Sequence, residues 1–414
     1  ENGKINQDKY EVIADVENLS IELFNKQKID KISGNLKFLK NKVQITNLKS
    51  EYQSLELFAK NISIDKKNKN YVIEGEIDSK ENFIPSSIIN IFFKNLKLKN
   101  VHLSSKNNFS FNVSNKLKVS DLKLISKINL KKADYEAEST KINKYIPNFD
   151  NKITFYNQKI NINFEKKILL EGLGGFQVGE KKDNIKYNFE INKQNVKFDL
   201  DLNIRETPFK IDVINFIKEE NEVINFRIIG EKKNEKIRLR EINIRKNNDI
   251  ISLNEINFSK NFQVTNFKKI NLKYFDKNKN KNDISIIQNK KNIYLIEGKS
   301  FNLNKIIDQI LFDKNNQIKI FDDKERIFKV NFKKNYLDSD HHILNLRGVI
   351  KIKGNNVYDM SLKSSFPNKD NLSITVKTKD EQKVTTFYSG QAKPFVKKYK
   401  FVKGFEGGKI DFYS

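Results

Sequence analysis

Apolar side chains recur at every second position along this chain, segment after segment, and that period most limits the folds open to it. VKFDLDLNI sets Val196, Phe198, Leu200, Leu202 and Ile204 on one side and Lys197, Asp199, Asp201 and Asn203 on the other. NFSFNV does the same with Phe109, Phe111 and Val113, and KININF with Ile160, Ile162 and Phe164. Further sets are Tyr187, Phe189 and Ile191; Phe328, Val330 and Phe332; and Leu372, Ile374 and Val376. Successive side chains of a strand point to opposite faces, so each segment predicts a strand with one apolar face and one wet face. Clusters such as KKNKN (66–70), KNNDI (246–250) and KGNN (353–356) separate the strands with residues that suit tight turns. About 8–12 residues per strand predicts antiparallel meander, with on the order of 30 strands in all.

Helical signals are few. PSSIINIFFKNL (85–96) starts with Pro85 and Ser86 and carries an apolar stripe. SFNLNKIIDQIL (300–311) has helical spacing, and TKINKYI (140–146), stopped by Pro147, is a weaker candidate. KNKNKND (277–283) is the most polar connection and a candidate soft boundary.

Apolar residues make up 37% of the 414, below the roughly 45–50% usual for globular domains once glycine is counted. That argues against several thick packed layers. The outward positions are rich in Lys, Asp, Glu and Asn, which excludes a barrel immersed in lipid. The polar face therefore meets water, and the apolar face meets either a second sheet or a bound apolar ligand.

The net charge of +26 raises nucleic acid or an anionic membrane as a partner. Only seven of the 78 basic residues are Arg, however, and the Lys are spread through an Asn- and Ile-rich chain. Phosphate and base-edge readout favours the Arg fork, so no nucleic-acid partner is expected. The Lys excess fits AT-rich coding, with anionic lipid head groups as the functional contender. The absence of Cys removes disulfides, thiol nucleophiles and Cys-based metal sites. No apolar run of 18 residues occurs, so no helix here is expected to span a bilayer. The chain opens at Glu1 and closes inside a strand-like run, which suggests that an anchor or signal segment lies outside it.

No motif points to catalysis. EGLGGFQVGE (171–180) is dense in glycine, but a phosphate loop needs a helix after it and KKDNIKYNFEI reads as strand. A bulged turn or a close backbone approach is the expected role. YLDSDHH (336–342) gathers Asp338, Asp340, His341 and His342, yet adjacent His on a strand point to opposite faces; a solvated hairpin turn is expected rather than a metal site. His102 stands apart from any nucleophile. No enzyme activity, cofactor or bound metal is expected.

The C-terminal stretch resembles a known family. GKSFNLNKIIDQI (298–310) leads into strands around FKVNF (328–332), then LSITV (372–376), a Ser389-Gly390-Gln391-Ala392 segment before a short helix (389–398), and a strand at Gly407, Gly408 and Ile410. This order resembles the AsmA-like family of Gram-negative envelope proteins, in particular its large YhdP-type members. The likeness is best over 298–414 and looser over 1–297. It implies a repetitive β-groove region over 1–297, an AsmA-like C-terminal-type region over 298–414, and an inner-membrane anchor before residue 1. It also implies a periplasmic location, transfer of phospholipid toward the outer membrane, and outer-membrane or periplasmic partners.

Together these readings predict an all-β fold: an elongated, curled antiparallel sheet, open like a taco, with a few short helices. Its groove would hold acyl chains on Phe109, Phe111, Val113, Ile160, Ile162, Phe164, Val196, Phe198, Leu200, Leu202 and Ile204. The alternative is a structural or adhesive surface protein made of β-sandwiches, in which the same faces pack on each other.

Overall fold

The computed structural model describes residues 11–23, 27–92, 97–137, 142–305, 321–338, 340–379, 382–399 and 407–413. Strand accounts for 74% of the structure and helix for 4%. The chain divides into two compact units, one of Glu1–Ser139 with Phe149–Leu200, the other of Thr140–Asn148 with Asp201–Ser414.

In the first unit the strands run β1 (Glu11–Leu23), β2 (Gln27–Leu39), β3 (Lys42–Tyr52), β4 (Leu55–Lys67) and β5 (Asn70–Ile84). After helix α1 (Ser86–Phe92) come β6 (Leu98–Ser114), β7 (Val119–Glu136), β8 (Lys152–Phe164), β9 (Ile168–Val178) and β10 (Lys181–Asn192). Each pairs antiparallel with the next, a ten-strand meander. Among the described residues β1 pairs only with β2, so this sheet is open rather than closed into a barrel. β11 (Asn195–Ile204) contains the division between the units.

α1 forms where expected, within 85–92; the remainder of that stretch, 93–96, lies outside the described residues. The amides of Ile88 and Ile89 donate to the Pro85 carbonyl at 3.0 and 3.3 Å, which starts the helix. Ile88 and Ile89 then close over Leu55, Ile84, Val101 and Ala133 of four neighbouring strands. A buried isoleucine of this kind stabilises by about 2–4 kcal/mol relative to alanine.

The second unit opens with β12 (Phe209–Ile211) and β13 (Phe216–Lys218), a separate two-stranded pair. Its sheet then runs β14 (Ile224–Lys233), β15 (Lys236–Lys246), β16 (Asp249–Phe258), β17 (Val264–Asn266), β18 (Lys269–Phe275), β19 (Lys281–Lys290) and β20 (Ile293–Asn302). It finishes with β21 (Glu325–Tyr336), β22 (His342–Lys353), β23 (Asn356–Ser365), β24 (Asn371–Lys379), β25 (Gln382–Ser389), helix α2 (Lys393–Tyr399) and β26 (Ile410–Tyr413). Both β17 and β18 pair with β16.

One pairing departs from the expected meander: β20 and β21 are parallel. A parallel neighbour needs a crossover of a dozen residues or more, and the segment between Asn302 and Glu325 supplies it. The helix expected over 300–311 is corrected in part. Ser300, Phe301 and Asn302 end β20, the chain turns helical at Asn304 and Lys305 as expected, and 306–311 lies outside the described residues. The polar run at 277–283 is no boundary either. Residues 277–280 lie in the turn between β18 and β19 of one unit, closed by the Asp276 amide donating to the Asn280 carbonyl at 3.1 Å, and 281–283 open β19. Of the helix expected over 140–146, residues 140–141 lie outside the described residues, and the rest is one turn in which Ile146 N–H donates to the Ile142 carbonyl at 3.0 Å. Position 297/298 falls within β20.

Candidate functional site

The site is built by register. Starting on β1, Ala14 stands opposite Leu36, Leu36 opposite Ile45, Ile45 opposite Ile62, and Ile62 opposite Gly75. The row continues from Gly75 to Phe109, Leu124, Phe164, Ile168 and Ile191 on β10. Ten strands thus contribute ten directly opposed residues, none polar, in a line that crosses the sheet. At the usual strand spacing the row is roughly 40 Å long.

The second unit repeats the device. Ile228, Ile242, Leu253, Ile270, Ile286 and Ile296 are successive partners from β14 to β20. From there the row passes to Val330, Gly348, Leu362, Ile374, Phe387 and Phe412 on β26. Twelve strands make this row, roughly 50 Å of it.

The first row is not sealed as a core would be, whereas in the second Ile242, Leu253, Ile270, Ile286 and Ile296 pack against the buried cluster of Ile256, Phe267, Tyr294, Phe328 and Ile352. Between the two rows Ile62 and Val330 are buried, Phe412 is exposed, and most of the remaining side chains are half-buried. In the first unit the sheltered side of the sheet carries the row and α1, and no second sheet exists to face it among the described residues. The total accessible surface agrees: 26,859 Å², where a compact monomer of 48.7 kDa would expose about 16,600 Å².

Keeping such rows aligned requires bulges. The first unit's ladders shift register near Asn18, Lys31, Asn47, Asn100 and Asn157, each with positive φ. At Asn157 the extra residue keeps Phe155 opposite Phe176 while Ile160 stays opposite Gly172. Without it, half of β8 would turn its apolar side chains to water.

The expected lining residues fall as follows. Phe109 and Phe164 are members of the row itself. Phe111 and Val113 continue along the same side of β6, with the Phe109 and Phe111 rings 5.9 Å apart. Ile160 and Ile162 lie on the row's side of β8, opposite Gly172 and Leu170. On β11, Val196, Phe198, Leu200 and Leu202 are half-buried and Ile204 is buried. The other row members escape a strand-by-strand reading, because alternation says which face a residue takes and not which residue it meets. Counting outward from each turn finds some: Leu39 opposite Lys42 brings Leu36 to Ile45.

Gly172, Gly174 and Gly175 lie in the middle of β9, and Gly179 turns the chain into β10 at φ 57°. The close backbone approach is Gly174's, where a Cβ would stand 2.7 Å from the Asn157 carbonyl oxygen at the β8 bulge. A Cβ on Gly172 would stand 2.2 Å from the Tyr187 ring, and one on Gly175 2.2 Å from the Tyr156 ring. Each tyrosine is its glycine's direct ladder partner and folds over it. Burial beneath its neighbours pushes the Tyr187 hydroxyl up to about 12.

Asp338, Asp340 and His341 do bring ligand-type atoms together in the β21–β22 turn. Asp338 Oδ1 accepts from the amides of Asp340 and His341 at 2.8 and 2.6 Å, and His341 Nδ1 lies 2.9 Å from both carboxylate oxygens. These bonds suffice to shape the hairpin. His102 is a β6 residue set edge-on to Phe83, their centroids 5.5 Å apart.

Beside this geometry, comparison with known proteins finds no matching family model, no matching curated protein and no matching solved structure.

Proposed function

We propose that the half-buried rows hold acyl chains of phospholipids and serve as tracks for their movement in a bacterial envelope. One observation carries the reading: apolar residues stand directly opposite one another across ten strands of one unit and twelve of the other, without a second sheet laid over the first. A sandwich needs no such line, since its core residues are satisfied by any interdigitated partner. A ligand sliding across strands needs it, because a polar side chain anywhere along the row would interrupt contact with hydrocarbon.

Each methylene moved from water into a fully apolar surrounding gains about 0.8 kcal/mol, so a long acyl chain is retained by many small contributions. Moving by one strand exchanges similar contacts for similar contacts, and the barrier to each step stays low. The protein needs no chemistry for this, and any driving force comes from elsewhere. The compartment and the inner-membrane anchor follow from the AsmA-like resemblance, with phospholipids as cargo and membrane proteins at either end as partners.

The test is mass spectrometry of solvent extracts from the purified protein and from a Phe109→Asp, Leu124→Lys, Phe164→Asp variant. Stoichiometric phospholipid in the wild type, lost in a variant with an unchanged circular dichroism spectrum, is the expected result. Equal lipid in the folded variant, or a lipid-free wild type, would overturn the proposal and favour the structural role.

A further inference from the structure

The water-facing side of the first unit is laced with cross-strand ion pairs. Lys31 meets Glu51, Lys123 meets Glu165 and Lys131 meets Glu81, each at 2.7 Å. One stretch departs from that pattern. The register sets Lys49, Phe58, Asp78 and Lys106 directly opposite one another on β3, β4, β5 and β6. With Glu56 and Lys80 they line an open cavity of about 670 Å³.

Three features of this cavity call for a ligand. Among the described residues Lys49, Lys80 and Lys106 have no carboxylate within ion-pair distance, although acids are near at hand on the same face. Asp78 Oδ1 is buried and accepts no hydrogen bond. Phe58 is 39% exposed in the middle of this charged ladder. Lys49 and Lys106 flank the ring and the carboxylate from three ladder steps apart, roughly 14 Å between backbones.

Unpaired ammonium groups ask for an anion. A buried acceptor oxygen asks for a hydroxyl or amine donor, and an exposed ring amid charges asks for a flat, C–H-rich surface. A phosphorylated sugar supplies all three at once. We infer that this cavity is a binding site for a phosphorylated saccharide. The sugar lies on Phe58, a hydroxyl donates to Asp78, and phosphates meet Lys49 and Lys106 at the two ends. The site is on the opposite face from the apolar row and does not depend on the lipid reading.

The experiment is isothermal titration of the full chain, at physiological salt, with glucose 1,6-bisphosphate, inorganic phosphate and glucose. The bisphosphate is expected to bind at least tenfold tighter than inorganic phosphate. Phe58→Ala and Asp78→Asn should each weaken it about tenfold while leaving phosphate binding as it was; the first side chain is exposed and the second change keeps its shape, so the fold should survive. Lys106→Glu should weaken both. Equal affinity for phosphate and bisphosphate would reduce the site to a patch of positive charge and overturn the inference. So would bisphosphate binding untouched by Phe58→Ala and Asp78→Asn, or no bisphosphate binding at all.

Discussion

Thirteen of the 23 non-glycine residues with positive φ among the described residues are asparagines. An L side chain in the left-handed region costs roughly 1–2 kcal/mol, and asparagine bears it best because its amide bonds locally. Much of the asparagine that looks like coding bias therefore sits where turns and bulges require it. Asn157→Val should destabilise the first unit by about 1–2 kcal/mol, whereas Asn157→Gly should change little; urea denaturation of both variants checks this. Charge is placed as deliberately at Asp134, whose side chain is only 5% exposed. Burial alone would raise its pKa, but hydrogen bonds from Asn100 at 2.8 Å and Thr154 at 2.7 Å, with the Lys152 ammonium at 3.2 Å, outweigh that and hold it below the ordinary value. A carboxyl depressed in the folded state contributes stability above its unfolded pKa and loses that contribution as pH falls. The stability gap between wild type and Asp134→Asn should accordingly shrink below about pH 3.8 in acid-unfolding curves; a gap constant with pH would show that the charge is not what matters. Arg326, fully buried, donates to the carbonyls of Val264 and Thr265 at 3.1 and 2.9 Å and to the Asp322 carboxylate. Arg326→Ala leaves the Asp322 carboxylate to Lys324 alone, 3.1 Å away, strips the Val264 and Thr265 carbonyls of their donor, and should cost about 3–5 kcal/mol in the second unit.

At the level of elements, alternation made most strands legible. VKFDLDLNI became β11, NFSFNV part of β6 and KININF the end of β8. Turns were as readable: KGNN holds Gly354 and KKNKN holds Asn68, both at positive φ. What stayed illegible depends on partners. The tilt of β20 and β21 into a parallel pair depends on a crossover whose length, not its composition, decides the pairing. The place of Gly172 and Gly175 within β9 was not readable because their companions, Tyr187 and Tyr156, lie 15 and 19 residues away in neighbouring strands. Their pairing has a measurable signature. Gly172→Ala displaces the Tyr187 ring and should cost about 1–3 kcal/mol. In the Tyr187→Ala background the same change should be nearly harmless, so a double-mutant cycle should return a coupling of at least 0.5 kcal/mol, in the range of about 0.5–3 kcal/mol found for contacting residues. A vanishing coupling would mean that the ring does not need the gap.

For the molecule as a whole, the low apolar share was the visible sign of a chain that covers little of its own apolar surface, yet the rows themselves could not be drawn from composition. They depend on bulges, and a single missed bulge moves every later partner by one. The surface area gives the consequence in numbers. An unfolded chain of 48.7 kDa exposes about 70,600 Å². Folding to 26,859 Å² buries about 44,000 Å², against about 54,000 Å² for a compact protein of equal mass. The denaturant m-value scales with the area exposed on unfolding, so the lipid-stripped protein should show a summed m-value in urea of about four-fifths of the compact expectation. Occupancy by lipid should act in a second, separable way. A ligand that binds only the folded state raises stability as RT ln(1 + [L]/Kd), so adding phospholipid back should raise the midpoint, in step with lipid concentration. These two measurements divide the possibilities cleanly. A full-sized m-value without added lipid would mean that the rows are already covered by protein, as in a sandwich or a self-associated pair. A small m-value with no response to lipid would leave the rows open to something other than acyl chains. Only a small m-value together with a lipid-dependent midpoint is what a track for hydrocarbon requires.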